Sequence, residues 1–176
     1  MRKTYTFIAV LIFLCVSACT GSDTQTSAAS NSNSEAQNNS DRGQATLQLD
    51  GGTVTVDYGR PNLNGRNLEK LIQPGQEWRM GSNSATTLTT TADLKFGDKV
   101  VPKGKYVLKA KPVSAQDWML LIQNEDSGSV AEVPMKLEKV DSSTERMTIE
   151  LTQSSNAGKF KLIWGNLTLS TEFRKA

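Results

Sequence analysis

From residue 45 to the C-terminus, apolar and polar side chains alternate with a period of two. Val54, Val56 and Tyr58 alternate with Thr53, Thr55 and Asp57. Met147, Ile149 and Leu151 alternate with Arg146, Thr148 and Glu150, and Phe160, Leu162 and Trp164 with Lys159, Lys161 and Ile163. Successive side chains of a strand leave on opposite faces, so each run offers one apolar row to a core. Further strands are expected at 46–49, 85–90, 93–96, 99–101, 105–110, 117–123, 136–140 and 167–173. The runs are punctuated by Gly51-Gly52, Pro74-Gly75, Gly97-Asp98, Pro102-Lys103-Gly104 and Asn156-Ala157-Gly158. At such points Gly supplies positive φ and Pro presets φ. Gly97-Asp98 reads as a tight hairpin. Trp118-Met119-Leu120-Leu121-Ile122 is apolar on both faces and belongs at the centre of a sheet. Only residues 67–72 read as helix, barely more than one turn. The expected fold is all-β: an antiparallel β-sandwich or jelly-roll-like barrel of about ten short strands, in one domain over residues 45–176.

The residues before that domain read differently. Arg2 and Lys3 precede an apolar run from Phe7 to Ala18. A bilayer core requires about 20 residues of helix, so this segment is too short to span permanently and fits a cleaved export signal over residues 1–18. Val16-Ser17-Ala18-Cys19 resembles the bacterial lipobox. That resemblance implies cleavage before Cys19 and acylation of its thiol and amine, with palmitate-type chains. A single chain holds a protein marginally and two or more hold it firmly, so the membrane is the first expected partner. Thr20, rather than Asp, follows the cysteine and favours the outer membrane where the host has one. Fifteen of the 21 residues 20–40 are Ser, Thr, Asn or Gln. Such a stretch buries too little apolar surface to offset its ordering entropy, so residues 19–44 are expected to form a lipidated, flexible linker of roughly 25–30 Å root-mean-square span.

Composition narrows the chemistry. Histidine is absent, which removes Ser-His-Asp hydrolysis and His-ligated metal sites. Of the two cysteines, Cys15 leaves with the signal and Cys19 is acylated, so the mature chain has neither a disulfide nor a free thiol. The signal holds two of the 20 basic residues, leaving 18 Lys and Arg against 18 Asp and Glu. That balance lacks the basic excess of a nucleic-acid binder. No cofactor and no metal site is expected: Asn124-Glu125-Asp126-Ser127-Gly128 lacks the ligand spacing of a calcium loop and reads as a turn.

Two segments go beyond generic β patterning. One is Tyr58-Gly59-Arg60-Pro61 followed by Asn64-Gly65-Arg66. The other is Glu77-Trp78-Arg79-Met80-Gly81-Ser82-Asn83-Ser84-Ala85-Thr86. With Lys103-Gly104-Lys105-Tyr106 and Pro112, they resemble the bacterial family known as domain of unknown function 2911, over roughly residues 48–173. The family often has Ser where Gly59 stands, and it carries no established activity. The resemblance implies a secreted, β-rich domain and transfers no mechanism.

Candidate ligand-binding residues lie in those segments: Tyr58, Arg60, Arg66, Trp78, Arg79, Asn83 and Thr86. Arginine forks suit carboxylate, phosphate or sulfate, and an indole gives a flat apolar floor for a sugar. The structural alternative pairs Arg79 with Asp57 or Glu77 and lets Asn83 close a turn. Trp118 and Trp164 read as core, and Lys105, Lys109 and Lys111 as the solvent face of one strand. The function expected is a membrane-tethered, non-catalytic envelope module that binds a glycan, a small anion or a partner protein. The rivals are a carboxylate-dependent enzyme such as a glycoside hydrolase, which needs two carboxyl groups about 5–10 Å apart, and a purely structural envelope protein.

Overall fold

The structure, a computed structural model, describes residues 41–126 and 128–176. The expected signal, Cys19 and the linker as far as residue 40 lie outside them. Nine strands and one short helix follow in order: β1 Arg42–Leu49, β2 Gly52–Gly59, α1 Leu68–Leu71, β3 Thr86–Thr90, β4 Leu94–Phe96, β5 Lys99–Val101, β6 Gly104–Pro112, β7 Trp118–Asn124, β8 Gly128–Ser154 and β9 Ala157–Lys175. They form one antiparallel sheet in the order β1-β2-β3-β6-β7-β8-β9-β4-β5. Its two edges, β1 and β5, do not pair with each other, so the sheet is open. Among the described residues no helix is long and apolar enough to cross a membrane.

The alternation of the sequence becomes one core. Val54, Val56 and Tyr58 of β2, Leu108 and Ala110 of β6, Leu120 and Ile122 of β7, and Phe160, Leu162 and Trp164 of β9 are buried together. Among the described residues this core draws only on side chains from Ala45 onward. β7 is the fifth of nine strands, and Leu121 is buried on the face opposite Leu120 and Ile122, as its two-faced apolarity requires. Gly97, at φ 57°, turns β4 directly into β5, where Phe96 pairs with Lys99. β1 starts at Arg42, ahead of residue 45, because Arg42, Gly43 and Gln44 continue the ladder against Gly59, Tyr58 and Asp57.

Segments 136–140 and 146–151 are parts of one strand, β8, and 159–164 and 167–173 are parts of β9. The β8–β9 register shifts between Lys139 and Thr144 and again between Thr144 and Thr148. Opposite Thr144 stands Gly165, in left-handed conformation at φ 57°. Bulges of this kind bend a strand without ending its pairing. Here they also change its phase: the buried apolar side chains of β9 are Phe160, Leu162 and Trp164 before Gly165, and Leu167, Leu169 and Phe173 after it. The bend turns the far half of β8 toward the chain leaving β2. Met147 N–H donates to Pro61 O (3.0 Å), Leu63 N–H to Glu145 O (2.7 Å), and the Tyr58 hydroxyl to Ile149 O (3.2 Å). The two halves of the sheet therefore face each other across the core.

Candidate functional site

The segment from Trp78 to Thr86 is clamped onto the sheet by its own backbone. Trp78 exchanges both backbone hydrogen bonds with Ala110 of β6, at 2.7 and 2.8 Å. Its half-buried indole stacks on Trp164, with centroids 5.8 Å apart and planes at 12°. Met80 is fully buried and left-handed, at φ 49°, and its carbonyl accepts the hydroxyl of buried Thr86 at 2.7 Å. Where the segment crosses β2, a Cβ on Gly59 would stand 2.1 Å from Ser82 O, so two backbones meet where only glycine fits.

Several of the expected ligand-binding side chains are engaged inside the fold. The Tyr58 hydroxyl and the Thr86 hydroxyl donate to Ile149 O and Met80 O, and half-buried Arg60 donates through Nε to Met147 O at 3.4 Å. Arg79 and Asn83 meet on the exposed side of their turn, Nη1 donating to Asn83 O at 3.1 Å, with Asn83 at φ 60°. The alternative pairing of Arg79 with Asp57 or Glu77 does not form: Asp57 accepts from Arg42 and Glu77 from Lys109 (2.8 Å). Lys105, Val107, Lys109 and Lys111 do share the outer face of β6. Arg66 and Trp78 are the pair the fold unites, both against Trp164. The Arg66 guanidinium carbon lies 5.6 Å from the Trp164 ring, while Nε donates to Leu63 O at 3.0 Å and Nη2 to Asn62 O.

A cleft opens beside residues read as core from sequence. α1 is nucleated by Asn67, whose Oδ1 accepts from Glu69 N (2.8 Å) and Lys70 N (3.3 Å), the ordinary N-cap arrangement. Leu68 anchors the helix, and the turn after it is pinned to the end of β6 by Gly75 N–H donating to Pro112 O at 2.7 Å. Across from α1 the β6–β7 turn is held by Ser114 Oγ donating to Asp117 Oδ2 at 2.7 Å. Between the two lies a space of about 280 Å³ with walls of Leu68, Ile72, Pro112, Trp118, Leu137 and Leu167. Glu69 and Lys139 face each other at its rim, joined at 2.9 Å. The hydrogen bond and charge of Lys139 hold the Glu69 carboxyl below the usual carboxylate range.

A second, more polar hollow of about 440 Å³ shares Leu68, Glu69 and Asn166 with the first and is lined also by Arg66, Asn67, Asp141, Ser143 and Gly165. Together they form a groove, apolar at one end and polar at the other. Next to Gly165, the buried indole N–H of Trp164 has no acceptor among the described residues. No group of three or more Asp, Glu or Cys suited to a metal ion occurs among the described residues.

Over residues 40–173 the chain matches the family described as Protein of unknown function (DUF2911). It belongs to that family. No curated protein and no solved structure matches it. In this DUF2911 chain the Trp78–Thr86 block is a clamp joining β2, β6 and the core, and both Trp78 and Arg66, which lines the polar end of the groove, rest on Trp164. Sequence reasoning did not find Trp118, Ile72, Leu137 and Leu167 as groove residues. Each carries the apolar signature of a core position, and only the placement of α1 leaves their edges facing a cleft.

Proposed function

We propose that this protein is an envelope lipoprotein, acylated on Cys19 and tethered to a membrane, whose β-domain is a non-catalytic binding module using the groove between α1 and the β6–β7 turn. The observation that carries the binding reading is the apolar cleft beside Trp118, continuous with a polar hollow at Arg66. Concave sites with mostly apolar walls and a few convergent polar groups are the usual form of small-ligand sites. The lipobox-like Val16–Cys19 segment supports the anchor, and Thr20 favours the outer membrane where there is one.

A carboxylate-based hydrolase fits the groove less well. Its general acid must stay protonated near neutral pH, through a raised pKa. Glu69, on the rim, is shifted the other way by Lys139. Asp57 and Glu77 are each paired with a cation.

The binding test is a thermal-shift and tryptophan-fluorescence screen of envelope glycans, small anions and amphiphiles on the mature-length chain, residues 19–176 with Cys19→Ser. A ligand lost on Leu137→Lys and retained on Arg79→Gln supports the groove; loss on Arg79→Gln alone refutes it. The anchor is tested by mass spectrometry of the native protein, where an N-terminus at Cys19 without lipid mass would end that part of the proposal.

A further inference from the structure

We infer that the groove takes a single-chain amphiphile with an anionic head, its aliphatic part beside Trp118 and its carboxylate or phosphate on Arg66. This rests on the binding reading above and names the ligand class. The walls of the cleft end are mostly apolar, Leu68, Ile72, Trp118, Leu137 and Leu167, while Glu69, Ser114, Lys139 and Asn166 supply its polar groups. Against the leucine, isoleucine and tryptophan walls a sugar hydroxyl would be buried without a partner, a penalty of about 1–3 kcal/mol each, whereas an alkyl chain gains from every methylene removed from water. A volume of about 280 Å³ holds roughly nine or ten water-sized groups, enough for one medium-length chain.

The polar end selects the head. Arg66 has no carboxylate partner among the described residues. Its fork is held by two backbone carbonyls and the Trp164 ring, which leaves N–H groups available with the orientation already fixed. Glu69, which shares this hollow, is neutralised by Lys139. Asp141 also lines the hollow and opposes an anion there, but it is exposed, and the high dielectric of water weakens that repulsion. An anionic head is therefore drawn by contact with the guanidinium rather than by a net positive field.

The test titrates the chain of residues 19–176 (Cys19→Ser) with decanoate, decyl phosphate, decanol and decyltrimethylammonium, all below their micelle thresholds, reading tryptophan fluorescence. Decanoate and decyl phosphate are expected to saturate, with decanol weaker and the cation weakest. Arg66→Gln should weaken the two anions about tenfold, the worth of one charge-assisted hydrogen bond, and leave decanol unchanged. Leu137→Lys should abolish decanol binding, and Arg79→Gln should change nothing. Equal affinity for all four probes, or no effect of Arg66→Gln on the anions, overturns the head assignment while leaving an apolar binding cleft. Saturable binding of a glycan with none of the four amphiphiles overturns the inference and keeps the binding module. No saturable ligand of any class overturns both.

Discussion

Replacing Thr86 with Val removes one buried hydroxyl and tests the clamp directly. Thr86 has no exposed surface, and its Oγ1 lies 2.7 Å from Met80 O. Met80 is itself fully buried and held at φ 49°, a left-handed conformation costing a non-glycine residue about 1–2 kcal/mol. With Val in place, the Met80 carbonyl faces a methyl group in a fully buried site, a loss of about 1–3 kcal/mol if no other donor reaches it. The contact that keeps Met80 left-handed disappears with it. Thr86→Ser is the control: it retains the hydroxyl and gives up one buried methyl, roughly 0.8 kcal/mol before any cavity term. For a domain of this size 2 kcal/mol corresponds to a melting shift of roughly 6 °C. Urea unfolding with a common m-value reads both changes on one scale. Thr86→Val should be the less stable variant by about 1 kcal/mol. If it is as stable as Thr86→Ser, the hydroxyl does not hold Met80 and the clamp has been misassigned.

Other outcomes follow from the same geometry. Gly59→Ala places a Cβ 2.1 Å from Ser82 O and should cost about 1–3 kcal/mol as an overpacked contact, with faster amide exchange at Ser82 and Asn83; unchanged urea unfolding would contradict the crossing described. Asn67→Ala removes the cap of α1 and should destabilise by about 0.5–2 kcal/mol, lowering amide protection at Leu71 and Ile72 while leaving β3 unaffected. The Glu69–Lys139 pair sets a pH dependence. Because the folded pKa of Glu69 is lowered, the contribution of the pair is present above the ordinary carboxylate range and is lost as pH falls through the lowered value. In an NMR titration Lys139→Ala should return the Glu69 midpoint upward toward the ordinary carboxylate range, and an unmoved midpoint would show that the pair does not form in solution.

Much of the fold is legible in the sequence because strand side chains report their face directly. Val54, Val56 and Tyr58 turn inward, Lys105, Lys109 and Lys111 turn outward, and Trp118 and Trp164 belong to the core. Asn67 caps α1, the only helix among the described residues, through its side-chain amide oxygen. The length of β8 and β9 is hidden, because a bulge looks like a connection: Asp141-Ser142-Ser143-Thr144 is as polar as a loop, yet the ladder passes through it. The apolar residues shift from Phe160, Leu162 and Trp164 to Leu167, Leu169 and Phe173 across Gly165, a sign in the sequence that one strand continues with altered phase.

The groove was far less legible, since its walls come from segments distant in the chain. Glu69 meets Lys139 across 70 residues, and Arg66 meets Trp164 from a separate loop. No local pattern encodes that juxtaposition. The Trp78–Thr86 block drew notice through its unusual residues, and those residues serve backbone geometry: a left-handed Met80, a left-handed Asn83 and glycines at a crossing. Arg66 was found for its charge, which is the property the groove leaves available.

The measurement closest to the binding proposal is the set of intermolecular nuclear Overhauser effects between bound decanoate and the chain of residues 19–176 (Cys19→Ser). Contacts from the terminal methyl to the Trp118 indole and to the methyls of Leu137 and Leu167 are expected, with the methylene next to the carboxylate near the side chain of Arg66. Contacts that cluster instead at Trp78, Arg79 and Asn83, or none to Trp118 at saturation, would contradict the groove as the site of binding.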